Sequence, residues 1–267
     1  MNQPIDKVCI IGGSGFYDLL PTPKEVVVTT PFDNIPVHIL EQDIEGRRIY
    51  FLPRHGGKHS IPPHKINYKA NIFALHKLDI KRVLSTNAVG SLNDTMRPGD
   101  YVILDDFIDF VFPLTFFEDG FEVCFNSGKR LSGVIHLDMS EPYCPEVRNS
   151  ILKIIKTKNS HSTGSYVRTM GPRFETKAEI LALKRWGADV VGMTNPSEAI
   201  LSRELGICYA TIAVVTNYAA GLQKELSHQE VLDIFNSRLT ELKSLFFNII
   251  KNLPIEQGCN CAKHIKT

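Results

Sequence analysis

Short apolar runs of β-strand type alternate with helical patterns along almost the whole chain, and this alternation constrains the fold most. The strand-like runs cover residues 7–13, 47–56, 82–92, 101–110, 164–174, 188–194 and 207–219, and the helical patterns cover residues 67–78, 177–187 and 197–205. Such alternation is typical of α/β proteins. We find no internal repeat and no flexible linker. We therefore expect a single α/β domain over residues 1–267, with a central mixed β-sheet flanked by helices.

The clearest helical pattern lies near the carboxyl terminus. Its apolar residues recur at spacings of three and four and form one stripe, which consists of Val231, Phe235, Leu239, Leu242, Phe246, Ile249 and Leu253. Ser227 and Glu230 match a capping box, so the helix should begin at Ser227. His228 then lies in the first turn, beside the preceding loop.

The charge balance limits the partners of the chain. Thirty Lys and Arg residues face 29 Asp and Glu residues, a net charge of +1, which argues against a nucleic-acid partner. No apolar run approaches the ~18 residues that cross a bilayer. The amino-terminal residues lack the basic start and long apolar stretch of a secretory signal. We expect a soluble cytoplasmic protein with no membrane partner.

The six cysteines do not indicate a disulfide scaffold in a chain of 267 residues. Cys9, Cys144 and Cys208 occur in apolar or strand-like surroundings, and we expect them to be buried. Cys259 and Cys261 form a Cys-x-Cys pair in a polar tail over residues 254–267. No second Cys or His pair lies at ligand spacing near the tail, so we predict no metal site.

Several strand-like runs end in polar residues, and such ends meet at one edge of an α/β sheet, where ligands bind. The first of these ends reads Gly-Gly-Ser-Gly at 12–15. It does not continue as a dinucleotide fingerprint, because Asp18 stands at the third glycine position and Pro21 follows. A tight turn with exposed N–H groups and the Ser14 hydroxyl suits a phosphate. The alternative is a plain glycine turn.

Three further strand ends supply donors for the same anion. Arg54 and His55 follow one strand, and an arginine matches phosphate oxygens in bidentate fashion. Asn87 and Thr194 add neutral donors. Together these residues would surround an anion with one fixed positive charge, although an Arg-His pair alone is more often a surface feature.

The motifs resemble a known family over roughly residues 8–250. They are IIGGSGF, PRHGGKHSIPPHKINYKANI, STNAVGSLNDTMRPGDYVILDDFIDF, HLDMSEPYCP, GPRFETKAEI and WGADVVGMTNPSEAILSRELGICYATIAV. They are similar to the methylthioadenosine phosphorylase branch of the trimeric purine nucleoside phosphorylase family. The resemblance implies the nucleoside phosphorylase fold and phosphorolysis, in which phosphate attacks C1′ of a purine nucleoside. It implies no metal or organic cofactor, and a homotrimer or hexamer.

The resemblance also assigns roles to residues. Phosphate should be bound by Ser14, Arg54, His55, Asn87, Ala88 and Thr194. Phe174 should lie against the base and Met193 against the ribose, and His136 should reach into the site of the neighbouring subunit. One departure is that Pro196 comes one residue earlier than is usual in the family. We expect the sugar contact to move little.

The choice of base can be argued from two residues that depart from the methylthioadenosine pattern. Glu175 replaces Ser or Thr, and Asn217-Tyr218-Ala219 replaces an Asp-x-Asp pair. A Glu175 carboxylate can accept N1–H of a 6-oxopurine but faces a lone pair in adenine. The Asn217 amide can donate to O6 and accept from a protonated N7. Glu175 and Asn217 thus favour inosine and guanosine, with Ala219 beside them. Alternatively, Glu175 is a surface residue that opens a helix.

His228 is the third specificity position. It resembles the histidine that inosine- and guanosine-cleaving enzymes use to bind the 5′-hydroxyl, although an exposed first-turn histidine is the alternative. The function predicted is 6-oxopurine nucleoside phosphorolysis in purine salvage, with Asn217, Glu175 and His228 as the catalytic set. Methylthioadenosine or methylthioinosine phosphorylase is the alternative within the class. A non-catalytic nucleoside or phosphate sensor is the alternative outside it.

The Cys-x-Cys tail resembles the tails of family members from thermophilic archaea, in whose cells disulfides occur. The resemblance therefore suggests an intrachain Cys259–Cys261 bond, with Cys144–Cys208 as a second pair. The alternative is that these residues are free thiols, because a bond across one residue closes a small and strained ring.

Overall fold

The computed structural model describes residues 6–13, 15–16, 18–57, 60–224 and 227–266. Its helices are α1 (Tyr68–Lys77), α2 (Pro145–Ile154), α3 (Lys177–Arg185), α4 (Asn195–Glu204), α5 (His228–Asn252) and α6 (Lys263–Lys266), with a 3₁₀ turn at Pro63–Lys65. Its strands are β1 (Lys7–Gly12), β2 (Lys24–Thr30), β3 (Asp33–Ile44), β4 (Arg47–Pro53), β5 (Arg82–Ser91), β6 (Tyr101–Ile103), β7 (Asp106–Asp109), β8 (Val123–Cys124), β9 (Arg130–Leu131), β10 (Ser160–His161), β11 (Ser165–Arg168), β12 (Val190–Gly192) and β13 (Cys208–Tyr218). None of the helices described is long and apolar enough to span a membrane.

Eleven strands of the described residues form one sheet in which parallel and antiparallel pairs are mixed. Strand β5 lies between β1 and β13 and is parallel to both. Antiparallel pairs join β12 to β5, β6 to β13, β4 to β3 and β3 to β2. The predicted α/β class with a central mixed sheet is confirmed.

Both faces of the sheet are covered by packed side chains. In β1, Val8 and Ile10 belong to one buried cluster, and Cys9 and Ile11 belong to the other, because successive residues of a strand point to opposite faces. Helices α2 and α5 contribute to the first cluster, and α1 and α4 to the second. The sheet is therefore rigidly held between two cores, and its carboxyl edge can position a site.

Helix α5 confirms the predicted terminal helix. Ser227 is its N-cap, and the Ser227 hydroxyl accepts the Glu230 N–H at 3.1 Å. The Glu230 carboxylate accepts a hydrogen bond from the Gln223 side chain at 2.8 Å, so the predicted capping box is half formed. Phe235 and Phe246 of the predicted stripe are buried in the core.

Two predicted strands have different bounds. Residues 101–110 form β6 and β7 rather than one strand, because the two halves pair with different strands. Between them the Asp105 carboxylate accepts the Gly164 N–H at 2.8 Å. The first half pairs antiparallel with β13 and the second half parallel with β11. The run at 164–174 ends its strand at Arg168, and the remainder forms the loop that carries Phe174 and Glu175.

The cysteines are the main correction to the sequence analysis. Cys9, Cys144 and Cys208 are buried, as predicted. The expectation that no second thiol pair approaches the tail is wrong, because the Sγ atoms of Cys144, Cys208, Cys259 and Cys261 all lie within 4.8 Å of one another. The cause is the fold, which brings the start of β13 and the residue before α2 beside the tail. All of these cysteines are free thiols in the structure, and the two suggested disulfides stay predictions.

Candidate active site

A cavity of about 590 Å³ opens at the carboxyl edge of the sheet, beside β5 and the first turns of α5. This volume is typical of small-molecule sites. The residues from the sequence analysis that line it are Arg54, His55, Asn87, Ala88, Phe174, Glu175, Met193, Thr194, Asn217, Ala219 and His228. Ser14 lies outside the described residues, and its neighbour Gly13 lines the cavity. His136 is exposed and does not line this cavity.

Arg54 is held by a buried carboxylate that the sequence analysis missed. The side chains of Arg54 and Glu198 are each 3% exposed and form an ion pair. The guanidinium also donates to the Ser85 hydroxyl at 2.7 Å and to the Thr86 carbonyl at 3.0 Å. Burial by itself would lower the pKa of Arg54, but the Glu198 carboxylate outweighs burial and raises it.

The one fixed positive charge expected at the anion site is balanced by the buried carboxylate of Glu198. Arg54 reaches the cavity wall as a rigidly oriented donor that is always protonated. Its charge still acts on a ligand in the cavity, but with a compensating charge behind it. The ligand is then attracted mainly by oriented donors rather than by net charge.

Asn87 and Thr194 are fixed by hydrogen bonds to each other and to Asn195. The Asn87 amide donates to the Thr194 hydroxyl at 2.8 Å, and the Asn195 amide donates to the Asn87 carbonyl oxygen at 3.0 Å. Asn195 is completely buried, and its own carbonyl accepts from the Tyr143 hydroxyl at 2.5 Å. Because the Thr194 oxygen accepts from Asn87, its hydroxyl hydrogen is available to a ligand.

The His55 ring is oriented by a backbone carbonyl. Nδ1 lies 2.8 Å from the Ile61 carbonyl oxygen, and a carbonyl only accepts, so Nδ1 carries the hydrogen. A Cβ atom at Gly13 would lie 3.4 Å from this ring, so the glycine turn after β1 and His55 share one wall. In the neutral ring Nε2 accepts a hydrogen bond, and in the imidazolium it donates one.

Glu175 occupies the loop between β11 and α3. Helix α3 begins at Lys177 with Thr176 as its N-cap, so Glu175 precedes the helix and does not open it. The Glu175 side chain is half-buried and accepts a hydrogen bond from the Thr169 hydroxyl at 2.5 Å. Glu175 therefore does not open the helix, and its half-buried carboxylate lines the cavity wall.

Asn217 lies at an irregularity of β13. The register with β5 shifts between Val215 and Asn217. The side-chain oxygen of Asn217 accepts from the Thr216 hydroxyl at 2.8 Å, and its side-chain nitrogen donates to the Tyr218 backbone carbonyl at 3.0 Å. An amide has two lone pairs and two N–H groups, so one of each remains for a ligand.

The remaining contacts surround the middle of the cavity. His228 is the first residue of α5, and Val231 and Phe235 of the same helix line the cavity with it. Met193 precedes Thr194, the N-cap of α4, and Pro196 lies in the first turn of that helix, where proline is tolerated. The early proline therefore leaves Met193 on the cavity wall.

The family model of the phosphorylase superfamily matches residues 7–251. The chain belongs to this superfamily, and the resemblance carried by the sequence motifs is confirmed. With the fold and the cavity, the match defines the class of protein as a nucleoside phosphorylase-type α/β enzyme.

Individual relatives point to a narrower group. The chain is 48% identical to a probable 6-oxopurine nucleoside phosphorylase of Thermococcus kodakarensis, over 97% of each chain. It is 45% identical to a 6-oxopurine nucleoside phosphorylase of Pyrococcus furiosus, over 97% of this chain and 98% of that protein. An S-methyl-5′-thioadenosine phosphorylase of the same organism is 40% identical over 98% of each chain. Among solved structures, methylthioadenosine phosphorylase from Schistosoma mansoni with adenine matches with a TM-score of 0.86 and 32% identity, over 98% of this chain and 96% of that one.

Proposed function

We propose that this protein is a purine nucleoside phosphorylase that cleaves 6-oxopurine nucleosides, inosine and guanosine, to the free base and ribose 1-phosphate. The proposal rests on one observation: Glu175 and Asn217 line the same cavity. Arg54, Asn87 and Thr194 line that cavity too. One set of residues suits a 6-oxopurine, and the other suits phosphate. A nucleoside that lies between them has C1′ facing the phosphate.

The phosphate is bound by donors that are already in place. Arg54, the Thr194 hydroxyl and the backbone at Ala88 provide them, and His55 adds Nε2. Ser14, which lies outside the described residues, would add its hydroxyl. With Nδ1 bonded to Ile61, Nε2 binds phosphate either as an imidazolium donor or by accepting a P–OH hydrogen. Fixed donors cost little reorganisation during the reaction, which favours catalysis by positioning and electrostatics.

The base is recognised by complementary hydrogen bonds. The Glu175 carboxylate accepts N1–H, and in guanosine also a 2-amino hydrogen. The Asn217 amide nitrogen donates to O6, and its oxygen accepts N7–H as the base leaves. Adenine would place its N1 lone pair against the carboxylate, and leaving buried polar groups unpaired in this way can cost a factor of ~10⁴ in specificity.

The reaction then needs no organic cofactor. Phosphate attacks C1′ from one face as the bond from C1′ to N9 breaks towards the other face. The electron pair of that bond goes to the base, a proton from solvent adds to N7, and the Asn217 oxygen accepts the resulting N7–H. The sugar passes through a cationic, oxocarbenium-like state, and the bound phosphate supplies the counter-charge. Phe174 packs on the base, Met193 on the ribose, and His228 binds the 5′-hydroxyl.

The second candidate is a phosphorylase of methylthio nucleosides. It is favoured by the 40% identity to an S-methyl-5′-thioadenosine phosphorylase. His228 argues against it, because an imidazole bonds a hydroxyl well and a thioether only weakly.

A substrate panel tests the proposal. The protein is incubated with one nucleoside at a time, with and without phosphate, and the released base is measured. The nucleosides are inosine, guanosine, adenosine, methylthioadenosine and methylthioinosine. We expect phosphate-dependent release of hypoxanthine and guanine and at most slow release of adenine. Preferential release of adenine would contradict the assignment of Glu175 and Asn217. Binding of nucleoside with no release from any substrate would indicate a sensor.

A further inference from the structure

A buried cluster of thiols lies away from the cavity, where the tail meets the start of β13. Cys144 is the N-cap of α2, Cys208 is the first residue of β13, and Cys259 and Cys261 belong to the tail. Their four Sγ atoms all lie within 4.8 Å of one another, and those of Cys208 and Cys259 are 3.2 Å apart. We call this set the thiol cluster.

We propose that the thiol cluster of the reduced chain is a structural zinc site with four thiolate ligands. In a tetrahedral site with zinc–sulfur bonds of about 2.3 Å, the sulfur atoms are about 3.8 Å apart. In the thiol cluster one sulfur–sulfur distance is 3.2 Å and no distance exceeds 4.8 Å, so the observed range includes the distance of a zinc site. Donor sets made only of thiolates select zinc among the common divalent ions. Zinc binds as the four thiols lose their protons to solvent, with no change of oxidation state.

A neighbouring side chain already contacts the thiol cluster. The Gln257 amide donates to the Cys208 Sγ atom at 2.9 Å, the type of outer contact that orients metal ligands.

The backbone around the thiol cluster is held independently of any ion. The Cys144 N–H donates to the Tyr209 carbonyl at 2.8 Å, and the Cys208 N–H donates to the Lys81 carbonyl at 2.9 Å. In the tail, the Gly258 N–H donates to the Glu146 carboxylate at 2.7 Å. The ligands are therefore positioned before binding, which reduces the entropic cost of assembling the site.

A route from solvent leads to the cluster. A groove of about 380 Å³ is lined by Cys261 together with Leu137, Arg203 and Lys263. Zinc bound there would fasten the tail to the start of β13 and to α2. The cluster is at the opposite end of β13 from Asn217, so its role is to stabilise the fold rather than to take part in phosphorolysis.

The experiment uses the full chain, isolated under anaerobic conditions without chelators. Zinc content is measured by elemental analysis, and thiol status by alkylation followed by mass spectrometry. We expect one zinc ion per chain, with the four cluster cysteines protected from alkylation until a chelator is added. A metal-free chain overturns the proposal, whether its cluster thiols alkylate at once or are paired in disulfides.

Variants and a spectroscopic probe make the test specific. Zinc affinity is measured by competition with a chelating dye. Cys261→Ser should weaken zinc binding by at least ~100-fold, because loss of a ligand costs more than the 10–100-fold typical of outer contacts. Cys124→Ser is the matched control, because Cys124 is exposed and outside the cluster, and it should bind zinc as the wild type does. The wild-type chain refilled with Co²⁺ should show the intense absorption of a tetrahedral tetrathiolate. Unchanged zinc affinity in Cys261→Ser, or an octahedral cobalt spectrum, contradicts the proposal.

Discussion

The ion pair of Arg54 and Glu198 joins the stability of the protein to the proposed phosphate site. Each side chain is 3% exposed, so both charges are removed from water and depend on each other. Removing one partner of such a pair typically costs about 3–5 kcal/mol, because the other charge stays buried. Removing both charges is far less costly. This difference allows the role of Arg54 in binding to be separated from its role in folding.

We predict that Arg54→Ala raises the KM for phosphate far more than the KM for inosine, and also lowers the free energy of unfolding. The double variant Arg54→Met with Glu198→Leu should recover most of the stability, because apolar side chains of similar volume replace the buried pair, and should keep the high phosphate KM. Steady-state kinetics and urea denaturation measure the two effects. A double variant with the wild-type phosphate KM would remove Arg54 from the anion site.

The two residues assigned to the base edge predict a change of substrate. Glu175→Ser with Asn217→Asp should shift the preference from inosine towards adenosine. The serine removes the acceptor that faces N1 of adenine, and the new carboxylate at position 217 accepts from the 6-amino group. We expect the ratio of kcat/KM for inosine over adenosine to fall by about 10–100-fold, the range for one or two unpaired buried groups.

The control for this change is a comparison of folded proteins only. Circular dichroism and phosphate binding establish that each variant retains the fold and the anion site, and both single variants are measured beside the double one. A folded double variant that still rejects adenosine as strongly as the wild type shows that Glu175 and Asn217 do not read the base.

At the scale of elements, α5 carries His228 to the cavity. The helix begins after the N-cap Ser227, so its first residue has a defined position relative to the cavity wall. An imidazole there bonds a 5′-hydroxyl and gains little from a methylthio group. Under the proposed function, the start of α5 would therefore distinguish the two candidate substrate classes.

His228→Ala should lower kcat/KM for inosine by about 3–10-fold, the value of one hydrogen bond, and change that for methylthioinosine less. Gln229→Ala is the matched control, because Gln229 is the next residue of α5 and bonds to Asp233 on the exposed side. Equal losses for both nucleosides in His228→Ala would mean that His228 does not contact the 5′ position.

The sequence predicted elements well where the pattern was local. The stripe of α5 and the apolar runs of β1, β5 and β13 needed only hydrophobic periodicity. The β2–β3 hairpin was missed. Strand β3 alternates, with Val37 and Ile39 buried, but half of its residues are polar and it contains Pro36, which is unusual within strands. Residues 101–110 read as one strand because both halves are apolar, although they pair with different strands.

Site residues, like the elements, were predicted well where the sequence pattern was local. Residues at strand ends were identified, because a strand that ends in polar groups is visible in sequence. Glu198 and Asn195 were missed, since a polar residue within a helix reads as exposed until the fold shows that it is buried. The thiol cluster was missed for a related reason: Cys144 and Cys208 are distant from the tail in sequence, and only the sheet brings them beside it.

At the scale of the whole molecule, the exposed apolar side chains indicate an assembly. Phe110, Phe112, Val134 and Trp186 are each more than half exposed, and the rings of Phe110 and Trp186 pack against each other at 5.3 Å. Large exposed apolar groups that pack together, as Phe110 and Trp186 do, are typical of subunit contacts. We expect a homotrimer or hexamer in solution, which light scattering measures directly.

The expected assembly would also account for the position of His136, which is exposed and absent from the lining of its own cavity. If His136 completes the site of a neighbouring subunit, then His136→Ala chains and Asn217→Ala chains are each nearly inactive alone, but mixed assemblies contain some intact sites. In a cyclic trimer that assembles at random, roughly a quarter of the sites would receive both wild-type residues. Co-refolding equimolar amounts of the two variants should therefore recover up to about a quarter of wild-type activity.

Replacing the Asn217→Ala chain by one that carries both substitutions leaves no intact His136 and should abolish the recovery. Activity of the mixture equal to the mean of the separate variants would show that His136 does not act across a subunit interface.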